Sequence, residues 1–304
     1  MHIRRTAIIG RGAVGLLYGS LIHRNAGPDS VFFAMDDERY ARRRDDRVTV
    51  QGDPLAIPTF PMSEAEPVDL VILAVKATGL QDAIDSMHPL VGPRTCILSL
   101  LNGITSEERI AERFGWDRVV IGICQGMDAV FLENTLTFTH AGEIRFGAAP
   151  QTLPGVAEAI HEFLSRAGIA SILESDPMRR MWVKLMLNVG INQTCMAYGG
   201  TYGSATEPGS EQNRCFISAM REALAVGRAE GIDLNEDDLS QMHNLIAGLE
   251  PTGMPSMAQD RIAHRRTEVE EFSGTIRRLA GAHGILTPCN DWLYKRILEI
   301  EASW

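Results

Sequence analysis

The sequence predicts an α/β protein. It reads as an N-terminal Rossmann-type domain with a mainly parallel sheet over residues 1–175, followed by an all-α C-terminal domain over residues 176–304. Three observations carry this. The turn Gly10-Arg11-Gly12-Ala13-Val14-Gly15 follows a short apolar strand and opens a helix. Continuous branched runs such as VDLVILAV at 68–75 alternate with helical segments, as a parallel sheet covered on both faces requires. Beyond Asp176 no convincing strand pattern occurs, and 211–230, 236–249, 255–283 and 288–301 all read as helices.

Bulk properties narrow the function classes. A chain of 304 residues favours two domains over one core. The net charge of −10 argues against nucleic acid as a partner, because a phosphate backbone attracts a basic surface. The five cysteines and eight histidines are scattered without ligand spacing, so no metal is expected and the cysteines read as reduced thiols in a cytoplasm. No apolar run reaches bilayer length, so no membrane is expected, and no G-x-S-x-G elbow occurs.

Taken in order, residues 3–9 form a short strand that leads into the glycine turn. Gly10 allows the tight turn, Gly12 lets backbone N–H groups approach a pyrophosphate, and Gly15 lets the helix lie close on the strand. A second strand, 30–35, ends at Asp36. An acid about 20 residues past the glycines suits the ribose hydroxyls of NAD. Arg39, Arg42, Arg43 and Arg44 follow at once; they could reach a 2′-phosphate but read better as a solvated helix face. Residues 48–62 are short and Pro-broken. Lys76 and Asn102 stand just past the carboxyl ends of the strands 68–75 and 95–100, the edge where open α/β sheets bind ligands. Further strands are expected at 119–124, within 129–147 and at 169–174, with an amphipathic helix between the last two.

The helix from Asp176 to Met196 stands at the junction of the two domains. Asp176 suits an N-cap and Pro177 the first helical position. It is apolar nearly all round, yet Lys184, Asn188 and Asn192 recur at intervals of four. That spacing sets them in one stripe, each about 40° from the last and spanning about 12 Å. Polar groups in an apolar wall need partners, so the stripe is either a seam between domains or a lysine and two amides facing a polar substrate. In the predicted helix over 255–283, Pro255, Ser256 and Gln259 resemble a capping box, and Ile262, Val269, Phe272, Ile276 and Leu279 form an apolar stripe. Glu268 beside that stripe reads, taken alone, as an exposed glutamate paired with Arg265.

Five segments in this order and spacing resemble the ketopantoate reductase (2-dehydropantoate 2-reductase) family. They are GRGAVG at 10–15, VKATGLQ from Val75, LNGITSEE at 101–108, WVKLMLNVGIN at 182–192 and PSMAQDRIAHRRTEVE at 255–270. The resemblance covers nearly the whole chain. It implies a Rossmann domain plus a helical domain, and NADPH-dependent reduction of 2-dehydropantoate to (R)-pantoate in pantothenate and coenzyme A synthesis. By the same resemblance Lys184 is the proton donor and Glu268 lies near the cofactor and that lysine. Asn188, Asn192 and Ser256 bind substrate, and Lys76 and Asn102 lie at the cofactor edge, with Asn102 also counted toward the substrate. The partner implied is a small 2-oxo acid, and helical domains of this type often form a homodimer. The chain departs from the family at Asp36, where an arginine is common, which leaves NADH open as cofactor. It departs again at Tyr202-Gly203, where the family often has Asn-Gly. A related NAD(H)-dependent dehydrogenase acting on another 2-oxo acid is the alternative, and a non-catalytic dinucleotide-binding protein a more distant one.

Overall fold

The apolar residues before the glycines form β1 (Thr6–Ile9), buried along its whole length, and α1 (Ala13–Ala26) follows directly. β2 (Val31–Met35) lies parallel beside β1 and runs into α2 (Asp37–Arg43). The Pro-broken stretch yields three short strands, β3 (Thr49–Val50), β4 (Asp53–Pro54) and β5 (Thr59–Pro61). Then come β6 (Leu70–Leu73), α3 (Leu80–Ser86), β7 (Cys96–Ser99), α4 (Ser106–Phe114) and β8 (Val119–Met127). β9 (Val130–Leu132), β10 (Thr135–Thr137), β11 (Ala141–Ala148), α5 (Val156–Arg166) and β12 (Ser171–Leu173) close this half. The computed structural model describes residues 1–304, and these elements fall in the first of two units, Met1–Pro177 and Met178–Trp304.

The large sheet has the order β12-β11-β8-β7-β6-β1-β2-β5. Its strands from β8 to β5 pair in parallel, β11 turns antiparallel against β8, and β12 runs parallel to β11. The chain leaves β1 toward β2 and β5, then returns to place β6 on the other side of β1. That reversal is the switch point at which open sheets of this kind hold ligands. Strand alternation supplies two cores. Ile8 and Ile72 join Leu16, Leu17 and Phe163 on one face, while Ala7, Ile9, Val71 and Leu73 join Leu80 and Ile110 on the other. β3, β4, β9 and β10 form a separate small sheet, so the residues expected as one antiparallel run at 129–147 divide between two sheets.

The second unit is helical throughout. α6 (Pro177–Tyr198) begins at the boundary and runs for 22 residues. It is followed by α7 (Tyr202–Thr206), α8 (Glu211–Ala229), α9 (Glu236–Ala247), α10 (Ser256–Ile262), α11 (Thr275–His283) and α12 (Pro288–Glu301). No helix is long and apolar enough to cross a membrane.

The single helix expected over 255–283 is broken in two. α10 stops at Ile262, which is 67% exposed rather than part of an apolar stripe. His264 turns to φ 46°, and the Arg265 N–H returns to the Asp260 carbonyl at 2.9 Å. Asp260 is buried, and its carboxylate receives Arg265 Nε at 2.9 Å. Thr267 gives its N–H and hydroxyl to Glu301 at 2.8 and 2.6 Å. Regular structure resumes as a π-helical turn, Glu270–Gly274. Satisfying a buried carboxylate outweighs the helical periodicity of the segment.

α6 and α8 approach each other where glycine leaves room. A Cβ on Gly190 would lie 2.6 Å from the side chains of both Phe216 and Met220, and one on Gly227 3.0 Å from Trp182. This contact is on the opposite side of α6 from Asn188, two residues and about 200° away. Gly190→Val is therefore expected to lower stability by about 1–3 kcal/mol through overpacking. Urea unfolding checks this; an unchanged midpoint would contradict the packing described.

Candidate functional site

In the first unit the glycine turn, Asp36, Lys76 and Asn102 follow the carboxyl ends of β1, β2, β6 and β7 in turn. The three glycines of the turn serve different needs. Gly10 has φ +115°, and a Cβ there would lie 2.3 Å from the Ala74 carbonyl oxygen. A Cβ on Gly15 would lie 1.9 Å from the Gly10 carbonyl oxygen. The fold itself requires those two. Gly12 has an ordinary φ of −97°, and a Cβ on it would meet nothing within 4 Å. It caps α1 with no side-chain hydrogen bond and no acid in the first helical turn. The N–H groups of Ala13 and Val14 begin that turn, at the positive end of the helix dipole. An open cradle over bare N–H groups fits a dinucleotide pyrophosphate, and a side chain at residue 12 would fill it.

Arg11 turns away toward the far end of α2. Its guanidinium donates to the carbonyls of Arg43 at 3.3 Å and Asp46 at 3.1 Å, and burial pulls its pKa down. Asp36 caps α2, accepting the Arg39 N–H at 2.8 Å, with Arg39 Nε 3.5 Å from its other oxygen. Arg43 pairs with Asp46 and Arg44 with Asp45. Three of the four arginines of the run thus have a neighbouring acid, and Arg42 is exposed on the same short helix.

Lys76 is exposed and precedes a tight turn closed by the Gly79 N–H on its carbonyl at 2.8 Å. Asn102 is half-buried and stands before Gly103 at φ +98°. A buried relay braces that loop and escapes a sequence reading. The Ser99 hydroxyl bonds Ser106 at 2.8 Å and receives the Leu101 N–H at 3.3 Å, while Ser106 donates to Glu107 at 2.9 Å. Glu107 is 2% exposed in the first turn of α4, where the helix dipole favours a carboxylate. The one available signal was a serine closing an apolar strand seven residues before Ser-Glu. A cavity of about 630 Å³ bordered by Arg4, Asp69, Arg94 and Arg118 lies at the amino ends of the strands and contains none of these residues.

In the second unit Lys184, Asn188 and Asn192 all lie on α6. Lys184 and Asn188 are half-buried and Asn192 is buried. Asn192 Nδ2 donates to Asn188 Oδ1 at 3.2 Å. Asn192 Oδ1 accepts the Ser256 hydroxyl at 3.0 Å and the Met257 N–H at 3.3 Å. Three residues from two segments thus become one hydrogen-bonded row, Ser256–Asn192–Asn188, with Lys184 one turn further along α6. Ser256 is the first residue of α10 rather than its cap, and Pro255 holds the cap position without a side-chain bond. Gln259 donates to the Met254 carbonyl at 3.1 Å instead of completing a capping box. Arg261 fixes the other end of α10 by donating to the Met196 and Ala197 carbonyls, unpaired C-terminal carbonyls of α6, at 2.5 and 3.1 Å. Glu268 is half-buried two residues before the π-helical turn, and its carbonyl accepts the N–H groups of Glu271 and Phe272. Such turns concentrate at functional sites. Tyr202 lies with its ring against Gly253, where a Cβ would come within 2.9 Å, on the segment that leads into Ser256.

A glycine turn at the switch point of a parallel sheet is a place where folds of this kind hold a dinucleotide. The class is an NAD(P)H-dependent oxidoreductase acting on a ketone or hydroxyl group. Residues 6–151 match the family model described as Ketopantoate reductase PanE/ApbA, and residues 176–301 match its C-terminal counterpart. The chain belongs to the ketopantoate reductase family. It is 29% identical to a 2-dehydropantoate 2-reductase of Mycobacterium tuberculosis over 294 residues, 94% of each chain. It superposes with a TM-score of 0.84 on the 2-dehydropantoate 2-reductase of Geobacter metallireducens, at 25% identity, covering 97% of this chain and 99% of that one. D-mandelate dehydrogenase in complex with NADH gives a TM-score of 0.88 at 23% identity, covering 98% and 99%.

Because nothing in the protein occupies the space over Gly12, Gly12→Val is expected to fold normally. It should raise the dissociation constant for NADH and NADPH at least tenfold. Cofactor titration by fluorescence, beside a thermal unfolding curve, checks both halves; undiminished affinity would remove the pyrophosphate assignment.

Proposed function

We propose that the protein reduces 2-dehydropantoate to (R)-pantoate, with Lys184 as proton donor. The observation that carries this reading is the hydrogen-bonded row Ser256–Asn192–Asn188 continuing along α6 to Lys184. A row of hydroxyl and amide groups offers donors and acceptors for a substrate carboxylate and hydroxyl. The reduced nicotinamide, when bound, supplies a hydride to the keto carbon. The Lys184 ammonium stabilises the charge that develops on the keto oxygen and then gives that oxygen a proton. Glu268 holds Lys184 in line, and Asn188, Asn192 and Ser256 orient the substrate. Gly10 to Gly15, Lys76 and Asn102 serve the cofactor, and Asn102 the substrate as well.

For the cofactor, the chain's own residues favour NADH over the NADPH that family membership implies. A carboxylate at the end of β2 accepts hydrogen bonds from ribose hydroxyls and repels a 2′-phosphate. Asp36 has that place, and Arg39, Arg43 and Arg44 each face an acid of their own. A second reading for the substrate is another 2-oxo acid. Tyr202 against the segment before Ser256 supports it, as does the likeness in fold to D-mandelate dehydrogenase.

Lys184→Ala is expected to lose about 10²–10⁴ in kcat while binding cofactor as the wild type does. Steady-state turnover beside a cofactor titration checks this, and unchanged turnover would sink the assignment. Asp36→Ala should shift kcat/KM toward NADPH by tenfold or more, read from assays with each cofactor. An unshifted ratio would remove Asp36 from the cofactor site. Ketopantoate and a panel of other 2-oxo acids, run with the preferred cofactor, decide between the two substrate readings.

A further inference from the structure

Two thiols of the helical unit take no part in the proposed chemistry. Cys215 on α8 and Cys289, the second residue of α12, hold their Sγ atoms 3.6 Å apart. A disulfide requires about 2.05 Å, so an approach of about 1.5 Å would join them. The other cysteines have different neighbours. Cys96 lies 3.5 Å from Met1 Sδ, Cys124 3.5 Å from the Leu100 carbonyl and Cys195 3.5 Å from the Thr201 carbonyl.

The pair is chemically unequal and held by the main chain. Cys215 is buried; its Sγ lies against the Cys289 thiol, a contact in which either sulfur can donate, and accepts the Thr194 hydroxyl at 3.5 Å, while the Cys289 thiol also donates to the Cys215 carbonyl at 3.4 Å. Hydrogen bonding with Cys289 and with Thr194 favours a thiolate and lowers the Cys215 pKa, with burial opposing it. Cys289 is half-buried, and its hydrogen bond with Cys215, together with burial, pushes its own pKa up. Glu222 of α8 accepts the N–H groups of Cys289 at 2.8 Å and Asn290 at 2.9 Å. The first turn of α12 is thereby anchored on α8, and the sulfur separation is set by backbone contacts as well as by side-chain rotation.

We propose that Cys215 and Cys289 are an oxidative modification site that closes to a reversible disulfide between α8 and α12 when a peroxide is present. A thiolate of the pair attacks one peroxide oxygen. The O–O bond breaks, a sulfenic acid forms, and hydroxide leaves and is protonated to water. The second sulfur then attacks the sulfenic sulfur, the S–S bond forms, and the hydroxyl leaves as water. Two thiols lose two electrons and two protons, and one hydrogen peroxide becomes two waters. The bond would form beside Asn290, whose Oδ1 accepts from Gln193 of α6 at 3.4 Å and from Ser273 at 3.0 Å. The proposal rests on this geometry and is independent of which substrate the enzyme reduces.

Graded hydrogen peroxide on the full-length protein, then alkylation in denaturant, proteolysis and mass spectrometry, tests it. Cys215 and Cys289 should lose alkylation together, and their peptides should appear cross-linked. Dithiothreitol should reverse both changes, while Cys96, Cys124 and Cys195 stay alkylated. Cys289→Ser should abolish the cross-link. A sulfinic or sulfonic acid at either position without a cross-link would overturn the proposal. So would a cross-link to another cysteine, or unchanged alkylation of both across the series. The wild-type protein alone separates these outcomes, so the test holds even if the variant misfolds.

Discussion

The amide of Asn192 is buried and makes three hydrogen bonds, and the helical unit is arranged to supply them. Its oxygen takes the Ser256 hydroxyl and the Met257 N–H, and its nitrogen gives to Asn188. Leaving such a group unpaired would cost about 1–3 kcal/mol, so α10 has to begin at residue 256 and to lie along α6. Arg261 then closes the opposite end on the last carbonyls of α6. A short helix fastened at both ends cannot run on to residue 283, and the chain leaves it at Ile262. The loop that follows carries Glu268 to the start of a π-helical turn. The geometry of the proposed proton donor's surroundings thus follows from one buried amide.

A second buried polar network lies on the other side of the same helix. Gln193, Ser273 and Asn290 are each fully buried. Gln193 Oε1 accepts the Ser273 N–H at 3.1 Å, and Asn290 Oδ1 accepts from both Gln193 and Ser273. Asn290 Nδ2 donates in turn to Glu222 at 2.8 Å. Fully satisfied networks of this kind rigidify a core and specify one arrangement of it. This one joins α6, the π-helical turn, α8 and α12. The π-helical turn is therefore held by side chains on two neighbouring helices, α6 and α12, with Glu222 of α8 behind Asn290, rather than by its own hydrogen bonds alone.

The first unit divides its constraints differently. Gly10 and Gly15 are fixed by backbone contacts inside the protein, whereas Gly12 has open space around it. The same motif therefore records two requirements, one of folding and one of ligand room. The relay from Ser99 through Ser106 to Glu107 is a folding device, since it holds the loop that ends in Asn102 and Gly103.

Much of this was legible in the sequence wherever a local pattern carries the information. The glycine turn, the branched strands and the change to helices after Asp176 fix the fold class because period and turn chemistry are properties of neighbouring residues. The spacing of Lys184, Asn188 and Asn192 declared a single stripe for the same reason. What only the tertiary structure decided depends on partners distant in the chain. Ser256 reaches Asn192 across 64 residues, and Arg265 turns back to the buried Asp260. The helix expected over 255–283 failed at that point, because burial of Asp260 and Asn192 outweighs a periodicity that propensity alone would have continued.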